Sequence, residues 1–320
     1  MASSDCESTQ RGFDDQHQPA EGTSVTSDDI RAQLTQAGLD AEALSGLINA
    51  AIAEDLAGGV DVTTVATVPG EQRSRLDLVA RAPGVVAGIP VAGLVFENVA
   101  AGAGNPIEIT QVRQDGEAVV VRDVLLTIRG NTRDLLTAER TALNLLCHLS
   151  GVATETAKWA VALSGSRTRV RDTRKTTPLL RSLEKYAVRC GGGVNHRMAL
   201  SDAALVKDNH VVAAGGVAAA FEAVRRSFPG VPVEVEVDSL DQLDEVVAAG
   251  ADLVLLDNFT PEQMSQAVSR VGGRVLLEAS GGLTLSDAAA VSATGVDYVA
   301  VGALTHSAPV LDIGADLESI

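Results

Sequence analysis

Aromatic residues and cysteines are both scarce in this chain, and each shortage excludes a class of function. Aromatic side chains make up 2 % of the 320 residues, too few for the stacking platforms on which proteins bind single-stranded nucleic acid. The three cysteines, Cys6, Cys147 and Cys190, form no CxxC pair, so neither a disulfide framework nor a thiolate zinc site is predicted. This use of cysteine fits a reducing compartment, and we expect a cytoplasmic protein.

Positive charge and long apolar runs are scarce as well. The 25 Lys and Arg residues stand against 42 Asp and Glu residues, which gives a net charge of −17. Such a chain repels nucleic acid and anionic membrane surfaces as a whole body. The longest uncharged apolar stretch, between Arg81 and Glu97, holds 15 residues, fewer than the roughly 20 that span a bilayer. We therefore predict neither a nucleic-acid partner nor a membrane.

The order of the predicted elements divides the chain into three parts. Residues 1–29 are polar and acidic, which predicts a disordered tail. Residues 30–147 mix helices and strands without regular alternation, which indicates an α+β domain. Residues 148–303 alternate short β-rich runs with helical runs, and this α/β rhythm favours a parallel barrel although only six strands are counted. Ser150–Gly151 predicts a break in the long helix that begins near Asn131.

Charged and polar residues recur where the predicted strands of the second half end. Ligands bind at the carboxyl ends of parallel strands, so these residues are expected to meet in one site. In chain order they are Asp172, Arg174 and Lys175; Lys207, Asp208 and His210; Glu234, Glu236 and Asp238; Asp257 and Asn258; Glu278, Ser280, Gly281 and Gly282; and Gly302 and His306. Alternation puts Glu234 and Glu236 on one face, and an inward pair would suit a divalent cation or sugar hydroxyls.

Positive charge is concentrated in one segment. Residues 171–208 carry eight Lys and Arg residues against four Asp and Glu residues, inside a chain of net charge −17. An isolated basic patch of this kind predicts a small polyanionic ligand, because arginine pairs with carboxylates and phosphates in bidentate fashion. Arg181, Lys185 and Arg189 are expected instead on a solvated helix face.

Two glycine-rich segments are candidates for close approach to a ligand. Gly191–Gly193 follows the predicted helix Pro178–Cys190 and ends it. Ser280–Gly282 precedes a helix expected to start near Thr284. A helix N-terminus binds anions, and barrels often hold a phosphate after their last two strands. The second segment therefore predicts a phosphate site.

Several of these segments together resemble the quinolinate phosphoribosyltransferases. The resemblance is strongest in RDTRKTTPLLRSLEKYAVRCGGGVNHRMALSDAALVKDNH, with ERTALNLLCHLSGVAT before it and VEVEVDSLDQ, LVLLDNFTPEQM, LEASGGL and GVDYVAVGALTHSAP after it. It extends from about Asp40 to Asp312. It implies an N-terminal α/β sandwich domain followed by an irregular, incomplete parallel α/β barrel of the type II phosphoribosyltransferase kind, with residues 304–320 packing back on the first domain.

The same resemblance implies an activity and assigns residues to it. Quinolinate and phosphoribosyl pyrophosphate would give nicotinate mononucleotide, pyrophosphate and CO₂, the de novo route to NAD, with Mg²⁺ as cofactor. The chain would form a homodimer with shared sites, in which Arg140 reaches the neighbouring subunit. The resemblance makes Lys175, Lys207, Glu236 and Asp257 catalytic, with Glu236 and Asp257 holding Mg²⁺ largely through the substrate. It adds as substrate-binding residues Arg140, Thr173, Arg174, His196, Arg197, Ser280, Gly281, Gly282, Val301, Gly302 and His306.

Three other functions stay open at this point. A phosphoribosyltransferase for nicotinate or another pyridine acid would need fewer residues to clamp one carboxylate than the four available, Arg140, Arg174, His196 and Arg197. A Schiff-base aldolase would use Lys207 as its nucleophile. A non-catalytic metabolite-binding scaffold would lack a cation or a carboxylate of the site, whereas the predicted catalytic set is complete.

Overall fold

The computed structural model describes residues 22–320 as two α/β parts that share one long helix. Its strands are β1 (Thr23–Val25), β2 (Arg73–Ala80), β3 (Gly84–Val85), β4 (Glu108–Gln111), β5 (Ala118–Val119), β6 (Val124–Asn131), β7 (Arg169–Arg171), β8 (Ala204–Val206), β9 (Val233–Val237), β10 (Leu253–Asp257), β11 (Leu276–Ser280), β12 (Tyr298–Ala300) and β13 (Ile313–Ser319). Its helices are α1 (Ser27–Gln36), α2 (Ala41–Leu56), α3 (Val62–Thr67), α4 (Ile89–Ala103), α5 (Thr132–Ala162), α6 (Arg181–Cys190), α7 (Asp208–Ala214), α8 (Val217–Ser227), α9 (Leu240–Ala248), α10 (Pro261–Val271), α11 (Ala288–Thr294) and α12 (Ala303–His306).

The first part is built on an antiparallel sheet. Its five strands lie in the order β1, β4, β6, β2, β13. Alternate residues of β2, such as Leu76 and Leu78, are fully buried, and the apolar helix α4 contacts β6 of the same sheet. The last strand, β13, pairs with β2 along its whole length. The first and last described strands, β1 and β13, therefore form the two edges of the same sheet.

The prediction that residues 1–29 form a disordered tail is wrong for the last residues of this segment. Thr23–Val25 pairs with β4 as an edge strand. Thr26 caps α1, and its side chain and that of Asp29 satisfy each other's backbone N–H groups in a capping box. A threonine followed three residues later by an acid is a helix-start signal that the acidic composition obscured. Residues 1–21 lie outside the described residues.

The second part is an open barrel of six parallel strands in the order β7, β12, β11, β10, β9, β8. The six predicted strands are all present, five of them within one residue at each end, whereas β11 ends three residues beyond the predicted Val275–Leu277. Helices connect consecutive strands along the chain. Beyond β7 the described chain adds one isolated parallel bridge, Arg171 with Val194. The predicted fold class, α/β with an incomplete parallel barrel, is confirmed. No helix within residues 22–320 combines the length and hydropathy needed to cross a membrane.

The helix α5 joins the two parts and continues through the position of the predicted break. Ser150 receives a hydrogen bond from the Ala87 N–H at 3.0 Å. A Cβ on Gly151 would lie 2.1 Å from the carbonyl oxygen of Pro309. The two residues that resemble helix breakers thus let other segments pack closely on α5. The predicted domain boundary at residues 147/148 falls inside this helix.

The helix α6 buries a lysine that was expected in solvent. Lys185 is 0 % exposed, forms an ion pair with the equally buried Asp172 and donates to the His196 carbonyl at 2.9 Å. Burying this ammonium is tolerable because a carboxylate and a carbonyl replace its hydration. Asp172 at the end of β7 therefore holds α6 rather than a ligand, and the expectation is wrong for Lys185.

The glycine run after α6 also has a packing role. A Cβ on Gly191 would lie 2.3 Å from the Ala153 carbonyl oxygen, and one on Gly193 would lie 2.7 Å from the Thr156 side chain. Both partners belong to α5. In the described structure, Gly191–Gly193 allows close packing against α5, whereas the sequence suggested the close approach of a ligand.

Candidate active site

A cavity of about 670 Å³ opens at the carboxyl ends of the barrel strands. Of the predicted site residues it brings together Thr173, Arg174, Lys175, His196, Arg197, Lys207, Glu236, Asp257, Ser280, Gly281, Gly282, Val301, Gly302 and His306. Further lining residues that the sequence analysis did not name for the site are Leu205, Leu255, Leu283, Thr284, Ala300 and Ala303. Leu205 and Leu255 occupy inward positions of β8 and β10, so strand alternation could have indicated them.

One side of the cavity carries two neighbouring guanidinium groups. The Nε atom of Arg174 is buried and has no hydrogen-bond partner in the described structure. Arg197 donates from Nη1 to the Ala203 carbonyl at 2.9 Å. Burial, and then the charge of Arg174, lower the pKa of Arg197. Positive charge is therefore under-compensated here, and an anion placed between the two arginines would relieve it.

His196 stands beside this pair with both ring nitrogens already engaged. Its Nδ1 accepts from the Arg197 backbone N–H at 2.7 Å, so the proton of a neutral ring sits on Nε2. Nε2 lies 2.7 Å from a carboxylate oxygen of Glu234. In this state His196 orients the backbone of Arg197, and the ring must turn before it can donate to a ligand.

A cation and a carboxylate pair with each other elsewhere in the cavity lining. Lys207 forms an ion pair with Glu236, and its backbone N–H donates to His210 Nδ1 at 3.0 Å. Asp257 lies two residues beyond Leu255, the register partner of Glu236. Two carboxylates on adjacent strands, opening into one cavity, are the hard oxygen donors that Mg²⁺ uses together with substrate phosphates. This donor set fits the expected cofactor.

The segment Ser280–Gly282 differs from its prediction in one respect. Gly281 and Gly282 have φ values of +107° and +61°, which glycine adopts without steric cost. A 3-10 turn, Leu285–Asp287, follows, and the Thr284 N–H already donates to Asp287 at 2.8 Å. The helix start predicted near Thr284 is present as this turn, which continues into α11 (Ala288–Thr294), but its N–H at Thr284 is already engaged. A loop shaped by two glycines precedes it.

A layer of buried charge borders the cavity: His196 and Glu278 of this layer also line it, whereas Glu234 does not. His196, Glu234 and Glu278 place one nitrogen and two carboxylate oxygens within 4.8 Å of one another. Arg171 pairs with Glu278 at 2.5 Å. Burial first, and the charge of Glu234 second, raise the pKa of Glu278 to about 8, so this carboxyl is largely protonated at neutral pH. Arg171 and that proton balance the acids of this layer.

The structure thus corrects the reading of Glu234 and Glu236 as one ligand pair. Both side chains point into the barrel, as the alternation predicted. Glu236 lines the cavity, whereas Glu234 is buried one layer deeper against His196. The two therefore serve different layers.

Two residues singled out in the sequence lie away from the cavity. Arg140 is exposed on α5 and does not line the cavity of its own chain. Cys190 packs beside α5, and burial followed by the charge of Asp115 raises the pKa of its thiol to about 12. A thiol so hard to ionise is a poor nucleophile, which agrees with a packing role.

An open parallel barrel with an arginine pair, lysine and carboxylate groups and a glycine loop at its strand ends, together with a second α/β domain, is the architecture that the sequence resemblance implied for a phosphoribosyltransferase. Residues 152–316 match the family model for the quinolinate phosphoribosyl transferase C-terminal domain, and residues 61–150 match its N-terminal domain. The chain belongs to the quinolinate phosphoribosyltransferase family, and the predicted assignment is confirmed. The carboxylating pentosyltransferase activity expected from the sequence is the activity of this family.

Individual relatives agree with the family match. The chain is 52 % identical over 279 residues to the carboxylating nicotinate-nucleotide pyrophosphorylase of Mycobacterium leprae, covering 86 % of this chain and 98 % of that protein. The probable enzyme of Bacillus subtilis is 38 % identical, covering 86 % of this chain and 93 % of its own. The solved nicotinate-nucleotide pyrophosphorylase of Francisella tularensis superposes with a TM-score of 0.81 at 37 % identity, covering 88 % of this chain and 98 % of that one.

Proposed function

We propose that the chain transfers the phosphoribosyl group of phosphoribosyl pyrophosphate to the ring nitrogen of quinolinate, releasing pyrophosphate and CO₂ and leaving nicotinate mononucleotide for NAD synthesis. The observation that carries this proposal is the arginine pair. Arg174 offers a buried Nε that has no hydrogen-bond partner among the described residues, and Arg197 lines the same cavity. A pyridine with two adjacent carboxylates supplies two negative charges to this wall, whereas nicotinate supplies one.

A second group of lining residues suits the sugar and its leaving group. As the bond between ribose C1 and pyrophosphate breaks, positive charge develops on the ribose and negative charge on the departing oxygens. Glu236 and Asp257 stabilise the first, and Lys175 and Lys207 stabilise the second. Because Lys207 pairs with Glu236 in the structure, substrate binding replaces part of that ion pair with pyrophosphate and ribose hydroxyls.

Mg²⁺ is the proposed cofactor, held by Glu236 and Asp257 together with substrate oxygens. When bound, it neutralises charge on the pyrophosphate. We assign the 5′-phosphate to the loop Ser280–Gly282 and the neighbouring Gly302. A Cβ on Gly302 would lie 3.0 Å from Lys175 Cδ and 3.3 Å from His306 Nε2, so a side chain there would crowd this end of the cavity. Thr173 and Val301 complete the lining.

Decarboxylation follows on the mononucleotide. The bond from ring carbon 2 to its carboxylate breaks, the electron pair stays on that carbon, and the adjacent cationic nitrogen stabilises it. CO₂ leaves as this bond breaks, and a proton from water then joins the carbon. Arg174 and Arg197 retain the other carboxylate. This sequence demands no dedicated general base, so preorganised charge supplies most of the rate.

Two properties of the assembly belong to the same proposal. A homodimer would bring Arg140 of each subunit to the other subunit's cavity, which accounts for an exposed arginine on α5 that its own cavity does not use. A cytoplasmic location is supported by Cys147 and Cys190, which are both free thiols.

The proposal is tested by calorimetric titration of quinolinate and of nicotinate into the protein. We expect quinolinate to bind about 10- to 100-fold more tightly, since a hydrogen bond to a charged group contributes about 1.5–3 kcal/mol. Arg174→Ala should remove most of this preference. Arg226→Ala, which removes an exposed arginine at the end of α8, is the matched control and should keep it. Equal affinity for the two acids in the unmodified protein would contradict the diacid assignment.

A further inference from the structure

Asn258 adopts a backbone conformation that is unusual for a residue with a side chain. It follows Asp257 at the end of β10 and has a φ of +57°. This left-handed conformation costs a non-glycine residue about 1–2 kcal/mol, and Asn tolerates it best. Its N–H donates to the Ser280 carbonyl at 3.0 Å, one step beyond the Asp257–Ser280 pair of the β10–β11 ladder. The turn is thus tied to the end of the neighbouring strand.

The side chain of Asn258 lies between two parts of the cavity wall. Its Nδ2 donates to Oδ2 of Asp257 at 2.8 Å. Its Oδ1 lies 2.3 Å from the position that a Cβ on Gly281 would take. The amide can approach the loop this closely because Gly281 has no side chain. Asp257 and Gly281 both line the cavity, whereas Asn258 itself does not.

We infer that Asn258 is a positioning residue that fixes the Asp257 carboxylate relative to the Gly281–Gly282 loop. The inference rests on the proposed function, in which Asp257 binds the ribose side and the loop binds the 5′-phosphate of one substrate. A ligand that spans both groups gains affinity only when their separation is right. Removing the amide should therefore weaken the binding of phosphoribosyl pyrophosphate and leave the binding of quinolinate at Arg174 and Arg197 unchanged.

The test is calorimetric titration of the full chain with phosphoribosyl pyrophosphate and Mg²⁺, and separately with quinolinate. Asn258→Gly is the main variant, because glycine keeps the left-handed backbone and the N–H to Ser280 while the amide is lost. We expect the Kd for phosphoribosyl pyrophosphate to rise about 10-fold and the Kd for quinolinate to stay within about 2-fold. Asn258→Asp keeps the shape of the side chain but places a second carboxylate against Asp257. It should raise the Kd for phosphoribosyl pyrophosphate further.

Asn105→Gly is the matched control. It deletes a similar amide–carboxylate hydrogen bond, Asn105 Nδ2 to Asp134 at 2.7 Å, in the first part of the molecule. Its Kd for phosphoribosyl pyrophosphate should equal that of the unmodified protein. Unchanged binding in Asn258→Gly would overturn the inference, and so would equal losses for both ligands with a lowered Tm, because that pattern indicates a merely structural role. If the unmodified protein fails to bind phosphoribosyl pyrophosphate, the proposed function itself falls, and this inference with it.

Discussion

Individual side chains at the strand ends could be predicted from sequence, whereas the burial of charge beneath them could not. Lys207 follows the apolar strand β8 directly, Asp257 ends β10, and Lys175 lies four residues after β7. Parallel strands bring such residues to one edge whatever the details of packing. Lys185 lies on a helix with an ordinary amphipathic pattern. Only the folded chain shows that Asp172, 13 residues earlier, pairs with it. Long-range charge pairing leaves no periodic signal.

The buried carboxyl group of Glu278 should make the stability of the protein depend on pH. Its pKa is raised from 4.5 to about 8 in the folded protein, so between those values the folded chain holds a proton that the unfolded chain has released. Stability is therefore lost as pH rises through this window. Glu278→Gln cannot ionise and keeps an oxygen for Arg171. Between pH 5 and pH 8.5, the Tm of the unmodified protein should fall at least about 3 °C further than that of the variant. Parallel Tm curves for the two proteins would contradict the protonated assignment.

Whole elements were predictable where their periodicity was sustained. The strand–helix alternation of the barrel was predicted correctly because its strands are short β-rich runs, several of them apolar, bounded by turn residues. The alternation of Ala118–Ile128 predicts a single strand, but the structure divides this run into β5 and β6, because Arg122 turns the chain with a φ of +77°. No glycine marks that turn. The break expected at Ser150–Gly151 failed for the opposite reason, since glycine there serves contact with another segment.

Gly151→Ala tests that explanation. Alanine favours a helix over glycine by about 1 kcal/mol, but its Cβ would lie 2.1 Å from the Pro309 carbonyl oxygen. The clash must dominate, so we expect a lower Tm and a loss of about 1–3 kcal/mol in the free energy of unfolding. Gly102→Ala in α4 has no atom within 4 Å of its new Cβ and should stabilise instead. Stabilisation by both changes, measured by denaturant unfolding, would refute the close-packing role of Gly151.

For the whole molecule, the composition of the chain predicted the kind of ligand, but it did not predict how subunits assemble. A basic segment of eight cations in a chain of net charge −17 indicates a small polyanion, and the cavity gathers four of those cations: Arg174, Lys175, Arg197 and Lys207. Arg140, the remaining predicted clamp residue, lies outside it. A single chain therefore supplies all but one of the expected site residues.

Mixing two inactive variants tests the shared site. Arg140→Ala and Lys207→Ala should each abolish turnover without unfolding the protein. In a hybrid dimer, one cavity would combine an intact barrel with an intact Arg140 from its neighbour. Random reassociation makes half of the dimers hybrid, so about a quarter of the unmodified activity should return. If hybrid dimers are shown to form and no activity returns, each cavity works within its own chain.

The most direct test of the account is turnover with the two acids compared. Purified protein is incubated with phosphoribosyl pyrophosphate, Mg²⁺ and either quinolinate or nicotinate, while nicotinate mononucleotide and CO₂ are measured together. We expect both products in equal amounts from quinolinate, and little mononucleotide from nicotinate. Mononucleotide from nicotinate alone would agree with the residues assigned to the phosphoribosyl group and would contradict the binding of a diacid at Arg174 and Arg197. A folded protein that forms no product from either acid would contradict the proposed reaction.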